Sequence, residues 1–241
     1  MTQGIHPLAA NMVNQLNRVD VISNNLANAK TAGFKKDNLV EGSFNNYLDK
    51  AKEENKEVLQ LSEVMNTIPK IDGKYMNEEV GAFVETGNGL DFAISDQNMF
   101  FKVQNPNTNQ MELSRDGKFK ILDGELVTQN GYRVLNENNQ PIQVDEANEF
   151  VRQISLVKTN YENLDKVGNN NYTIKEQEAL EVVNDDAENL VQGRYEQSNV
   201  NTMLSMVSLI EAQRDFERAQ KAIKGIDQIN AKVIESIGNN R

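Results

Sequence analysis

Two heptad-like apolar stripes, one at each terminus, constrain this chain more than any other feature. The first runs Leu8, Met12, Leu16, Val19, Ile22 and Leu26. The second runs Val200, Met203, Val207, Ile210, Phe216, Ala219, Ile223, Ile226, Val233 and Ile237. Steps of three or four residues line one face of a helix. A single helix from Val200 to Ile237 reaches about 55–60 Å at ~1.5 Å per residue. The domain left over is roughly 35–40 Å across, too small to cover such a helix. The uncovered face calls for other helices, from the chain's own N-terminus, from neighbouring copies, or from both. Association through heptads is the physical reading. The alternative is a helix pair folded back on the middle domain.

The punctuation of the chain fits helical ends. Pro7 stands where a first helical turn begins, a position that tolerates its missing N–H. Asn28, Thr31 and Gly33 are breakers, and Gly33 is a left-handed stop. Residues 35–55 are polar with scattered aromatics, Phe44 and Tyr47. They read either as irregular or as partly helical over 47–61, with a solvated charged run at 50–57. The last helix is expected to begin near Ser198 or Asn199, both good N-caps. Gly225 interrupts it, at a cost of ~1 kcal/mol relative to Ala, and permits either a close helix approach or a bend.

From about Ile71 the period changes. Short strands are predicted at 82–84, 90–94, 99–103, 111–114, 119–122, 126–127 and 132–135, with later pairing at 154–158 and 172–174. Turn residues separate them: Gly87-Asn88-Gly89, Asn105-Pro106-Asn107, Asp116-Gly117, Asp123-Gly124, Asn130-Gly131 and 168–171. Asp-Gly and Asn-Gly mark tight turns because both residues tolerate positive φ. The expected fold class is therefore α+β: terminal α-helices forming a coiled coil, and a central antiparallel β-rich domain. The expected division is a helical assembly domain at 1–34 and 198–241, connecting segments at 35–70 and 185–197, and the β-rich domain at 71–184.

Composition narrows the function. The chain has 241 residues and a net charge of −11, with no basic stripe, so nucleic acid is not an expected partner. An acidic surface also fits anionic lipid poorly. No apolar run approaches the ~18–20 residues of a membrane span, so stable membrane insertion is not expected. The first residues lack the basic start and apolar run of a cleaved leader. With no Cys there is no disulfide, thiolate metal site or Cys nucleophile, and the single His6 cannot build a His-based cluster. Gly87-Asn88-Gly89 lacks the third glycine and following helix of a dinucleotide loop. Asn184-Asp185-Asp186 lacks calcium-loop spacing. No cofactor or metal is expected, and the chain does not read as an enzyme. A carboxylate pair of the kind a cell-wall hydrolase uses stays open as a weak alternative, because acidic residues are spread throughout. A soluble oligomeric binding module stays open as another.

Four blocks resemble the flagellar basal-body rod and hook protein family. The first is Val19-Asp20-Val21-Ile22-Ser23-Asn24-Asn25-Leu26-Ala27-Asn28-Ala29-Lys30-Thr31-Ala32-Gly33-Phe34-Lys35, where the family usually has Leu at the Val19 position. The second is Gly87-Asn88-Gly89-Leu90-Asp91-Phe92-Ala93-Ile94 with Phe100-Phe101-Lys102-Val103. The third is Ser114-Arg115-Asp116-Gly117-Lys118-Phe119, then Gly124-Glu125-Leu126-Val127 and Gly131-Tyr132-Arg133-Val134-Leu135. The fourth is Tyr195-Glu196-Gln197-Ser198-Asn199-Val200-Asn201, leading to Met206-Val207, Ile210, Gln213-Arg214 and Phe216-Glu217. Asp96-Gln97-Asn98 replaces the Gly-rich turn usual in distal-rod and hook members. The short chain and Leu90-Asp91-Phe92-Ala93 are most similar to the proximal-rod, F-type branch, with the distal-rod, G-type branch second.

The resemblance implies a passive structural subunit that polymerises through its terminal helices into a helical tube. It implies export through the flagellar export apparatus without a cleaved leader, location in the periplasm-spanning rod, and other proximal- and distal-rod proteins as partners. The assembly surface it implies comprises Leu16, Val19, Ile22 and Leu26 as knobs, with Ser23, Asn24, Asn25 and Asn28 satisfying backbone groups where the helix ends. Gly33, Phe34, Ser198, Asn199, Val200, Asn201, Val207, Ile210, Phe216 and Ile223 complete it.

Overall fold

The computed structural model describes residues 5–43, 69–144, 149–175, 181–182 and 189–238. The expectation for 47–61 lies outside the described residues. The chain divides into two compact units. One draws on Met1–Ala27, Asp37–Tyr75 and Asn201–Arg241, the other on Asn28–Lys36 and Met76–Val200.

The first unit holds helix α1 (Ile5–Ala27), helix α2 (Thr202–Gly238), and strands β1 (Asp37–Ser43) and β2 (Pro69–Met76), which pair with each other. The two helices pack together. On α2 the buried residues Ala212 and Ala219 lie in register with half-buried Leu209, Phe216, Ile223, Ile226 and Val233. Their steps of three, four and seven residues follow a heptad. On α1, Leu8, Met12, Val19, Ile22 and Leu26 are half-buried.

The single stripe expected for the C-terminal end is in fact two. Met203, Val207 and Ile210 are 77%, 49% and 48% exposed. Steps of seven from Val207 and Ile210 lead to Arg214 and Glu217, whereas steps back from Phe216 and Ala219 lead to Leu209 and Ala212. The six-residue gap between Ile210 and Phe216 is a phase change. The N-cap also moves. Helix α2 starts at Thr202, and Asn201 Oδ1 accepts a hydrogen bond from Leu204 N at 3.1 Å. Ser198 and Asn199 are occupied elsewhere, and Val200 packs with Ala29 and Phe34 in the other unit. The helix continues through Gly225, where an added Cβ would meet nothing within 4 Å. The close-approach reading of that glycine is therefore not met among the described residues.

The second unit is β-rich and antiparallel. Its sheet runs in the order β11 (Leu164–Gly168), β12 (Asn171–Ile174), β6 (Met111–Ser114), β5 (Met99–Gln104), β9 (Arg133–Val134), β8 (Glu125–Thr128), β7 (Phe119–Leu122). Strand β10 (Leu156–Lys158) joins β5 and β13 (Glu181–Val182). Two further pairs close the unit: β3 (Phe83–Glu85) with β15 (Arg194–Glu196), and β4 (Phe92–Ile94) with β14 (Leu190–Gln192). Strand β5 is central because both of its faces are buried. Met99, Phe101 and Val103 enter one cluster with Phe92, Phe119, Leu126 and Leu156, while Phe100 enters another with Leu113, Tyr161 and Tyr172. That alternation is the two-residue period of a strand.

Turn chemistry follows expectation at one hairpin and departs from it at the preceding loop. Asp123 and Gly124 carry φ of 52° and 83° between the paired residues Leu122 and Glu125, as a two-residue primed turn requires. Gly117 has no positive φ. It is a glycine for a different reason: a Cβ there would stand 1.8 Å from the Phe92 carbonyl oxygen.

Beside Gly117, Asp116 is 6% exposed and accepts a hydrogen bond from Lys118 N at 3.0 Å. Burial, helped by the Asp91 charge, pushes its carboxyl up to about 6. A raised carboxylate value means the native state holds a proton that the unfolded chain has released. Stability conferred by this group is therefore present at low pH and lost as pH rises through about 6. Asp116→Asn is expected to exceed the parent by roughly 2–3 kcal/mol above pH 7, the gap closing near pH 4. Urea unfolding at both pH values checks this, and a gap independent of pH refutes it.

Candidate assembly interface

The expected interface residues fall into two groups, one in each unit. In the helical unit, Leu16 is 46% exposed, as is its neighbour Val13 at 56%. Val19, Ile22, Leu26, Phe216 and Ile223 are half-buried, and Val207 and Ile210 lie open. Met203, Leu204, Met206, Val207 and Ile210 form an apolar face on the first turns of α2, and Thr202–Ile210 contains no charged residue. Ser23 and Asn24 are exposed. Asn25 is buried and joins Asp37 from both sides: its Nδ2 donates to Asp37 O at 2.8 Å, and Asp37 N donates to its Oδ1 at 2.9 Å. The side chain thus imitates a strand partner at the start of β1.

In the β-rich unit, Asn28 opens the excursion Asn28–Lys36. Thr31 N donates to Asn28 O at 3.1 Å, and Thr31 Oγ1 donates to Asn28 Oδ1 at 3.2 Å. Gly33 has φ +64°, donates its N–H to Glu196 O at 2.7 Å, and passes so close to Arg115 that a Cβ would lie 2.2 Å from its carbonyl oxygen. Only glycine meets both demands. Phe34 is buried beneath the Lys166 ammonium, 4.6 Å from the ring centre. Asn199 bridges the two ends of the unit. Its Oδ1 accepts from Lys36 N at 2.7 Å, and its Nδ2 donates to the carbonyls of Asn77 and Glu79, each at 3.1 Å. Ser198 Oγ accepts from Val200 N at 3.3 Å.

Sequence reasoning missed the centre of this closure. Glu196 is 2% exposed and takes Lys35 Nζ at 2.7 Å on one oxygen, together with Gly81 N at 2.9 Å. Its other oxygen takes Arg115 Nε at 3.0 Å and Nη2 at 2.5 Å. The remaining donors find carbonyls: Arg115 Nη1 on Asp96 and Met99 at 2.6 and 2.7 Å, and Lys35 Nζ on Glu79 at 2.8 Å. Burial opposes the Glu196 charge, but the Arg115 and Lys35 cations and the hydrogen bonds outweigh it and hold the carboxyl below its usual range. Lys35 is pushed down by burial and by Arg115, with Glu196 opposing. The cluster therefore locks the segment after α1, the loop after β6 and the segment before α2 into one buried knot. Among the described residues no group of three or more His, Cys, Asp or Glu is placed to hold a metal ion.

Three stretches of the chain match families of known proteins. Residues 10–35 match the family described as flagella basal body rod protein. Residues 96–175 match the flagellar hook protein FlgE/F/G D1 domain, and residues 191–236 match the flagellar basal body rod FlgEFG protein C-terminal family. The flagellar basal-body rod protein FlgF of Rhizobium meliloti is 26% identical over 100% of both chains. FlgF of Mesorhizobium japonicum is 29% identical over 92% of each. FlgG of Buchnera aphidicola from Schizaphis graminum is 29% identical over 89% of this chain and 92% of its own. The chain belongs to the flagellar basal-body rod protein family, with similarity along its full length to an FlgF member and along 89% of it to an FlgG member.

Proposed function

We propose that this protein is the F-type structural subunit of the proximal rod, joined to its neighbours through the helices of its first unit. The observation that carries this reading is the open apolar face at Met203, Leu204, Met206, Val207 and Ile210, with no charge along Thr202–Ile210. An exposed, contiguous apolar patch on a helix marks an interaction surface. The half-buried heptad of Leu209, Phe216 and Ile223 serves as a coiled-coil seam within the subunit, and the open face packs on neighbouring copies and on adjoining rod proteins. Rod stiffness then arises from many such contacts, and no residue acts as a catalyst. The subunit reaches the rod through the flagellar export apparatus. The F-type assignment is supported by FlgF relatives that match along 92% and 100% of the chain.

Ile210→Asp is the test. At 48% exposure the aspartate is tolerated in the free subunit, so its Tm stays within about 2 °C of the parent. In the rod a buried, unpaired charge blocks packing. Basal bodies isolated from cells whose only copy is the variant are expected to lack the subunit. Normal incorporation would refute the proposed face.

A further inference from the structure

We propose that Met203 and Met206 form a reversible oxidation site, open to peroxide or hypohalous acid, that controls whether a free subunit can join the rod. This rests on the rod-subunit reading above and adds a chemical control on its open face. The chain has no Cys and no Trp, so its thioethers are the side chains that a two-electron oxidant attacks most readily. The fold does not treat those thioethers alike. Met99 is a core residue, 4% exposed. Met12, Met76 and Met111 are half-buried. Met203 and Met206 are 77% and 50% exposed, the most open methionines among the described residues. Access of the oxidant to sulfur follows that order.

Position gives the oxidation a consequence. The two methionines stand three residues apart on α2, so they share a helical face with Val207 and Ile210. That face is the one assigned above to packing on neighbouring copies. With hydrogen peroxide, a sulfur lone pair forms the S–O bond as the O–O bond breaks, leaving the sulfoxide and water. The new oxygen is a polar acceptor. In the free subunit it stays hydrated. In the rod, packing strips that water away, so an oxidised face is disfavoured there. The step is reversible by a thiol-dependent methionine sulfoxide reductase: two thiols take up the oxygen, giving the thioether, a disulfide and water. Packing also covers the sulfurs, so the oxidant acts on subunits that have not yet assembled and spares those in place.

Hydrogen peroxide on the full-length free subunit, followed by peptide mass mapping, tests the site. Met203 and Met206 are expected to oxidise roughly tenfold faster than Met99. Equal rates would overturn the oxidation site and leave the rod face intact. The same treatment of isolated basal bodies is expected to slow both methionines by roughly tenfold relative to the free subunit. Oxidation there at the free rate would overturn the rod face and the control together. The consequence is tested with Met203→Gln together with Met206→Gln, whose neutral amides stand in for the sulfoxides, and with Ile210→Asp beside them. The exposed glutamines are expected to leave the Tm within about 2 °C of the parent. Incorporation into basal bodies is expected to fall roughly tenfold. Normal incorporation of the glutamine pair while Ile210→Asp is excluded would overturn the control and leave the rod face intact. Normal incorporation of both would overturn both.

Discussion

Replacing Glu196 with glutamine is expected to destabilise the β-rich unit by about 3–5 kcal/mol, enough to unfold a marginal domain. The change is nearly isosteric, so packing is kept and only the charge is lost. Lys35 and Arg115, both with fully buried side chains, are then left facing an amide. The amide nitrogen also meets a donor wherever the carboxylate met Gly81 N or Lys35 Nζ, at 2.9 and 2.7 Å in the parent. The contrast is Glu85→Gln, whose pair with Arg194 at 3.3 Å is open to solvent and is expected to change stability by less than about 0.5 kcal/mol. Urea denaturation followed by tyrosine fluorescence and by protease resistance of the β-rich unit reads both. Equal stability of the two variants would show that the buried carboxylate is not the keystone. The pH dependence has its own sign. The Glu196 carboxyl lies below its usual range when folded, so its stabilisation holds at neutral pH and is lost only as pH falls through that depressed value. This is the reverse of Asp116, whose contribution is lost as pH rises through about 6.

The residues involved show what the sequence makes legible. Period and turn chemistry located both helices and most strands of the sheet, because apolar alternation around Phe100 and Phe101 and the Asp123-Gly124 turn are local signals. The pairing of β15 with β3 was not legible. Arg194-Tyr195-Glu196 has no apolar alternation, and its partner Phe83–Glu85 lies more than a hundred residues away. Nor was the phase change between Ile210 and Phe216 read correctly, since each half alone satisfies a helical stripe. The strand Asp37–Ser43 was missed because its sequence is polar, and its entry is held by a side chain, Asn25, that imitates a strand. The lock is the hardest case. Lys35, Arg115 and Glu196 are separated by 80 and 81 residues, and a charged residue in a polar neighbourhood reads as solvated. Resemblance carried the blocks that contain all three, but attached no role to the charges.

Gly33→Ala is expected to cost the β-rich unit about 3 kcal/mol, from two separable sources. The first is conformational: at φ +64° an L-residue loses roughly 1 kcal/mol. The second is steric, because the new Cβ would lie 2.2 Å from the Arg115 carbonyl oxygen and 2.8 Å from its Cβ. Relief requires Arg115 to retreat, and its guanidinium then leaves Glu196. Gly131→Ala isolates the first source, since Gly131 has φ +85° with nothing within 4 Å, and it should cost only about 1 kcal/mol. The excess at Gly33 is therefore a measure of how firmly the segment after α1 is pressed against the lock. If it acts through Arg115, then Gly33→Ala and Glu196→Gln break the same closure. Their combined cost should fall short of the sum by 1 kcal/mol or more, on the order expected for residues sharing partners. Strict additivity in the double mutant would separate the glycine from the ion cluster and leave it as an independent turn.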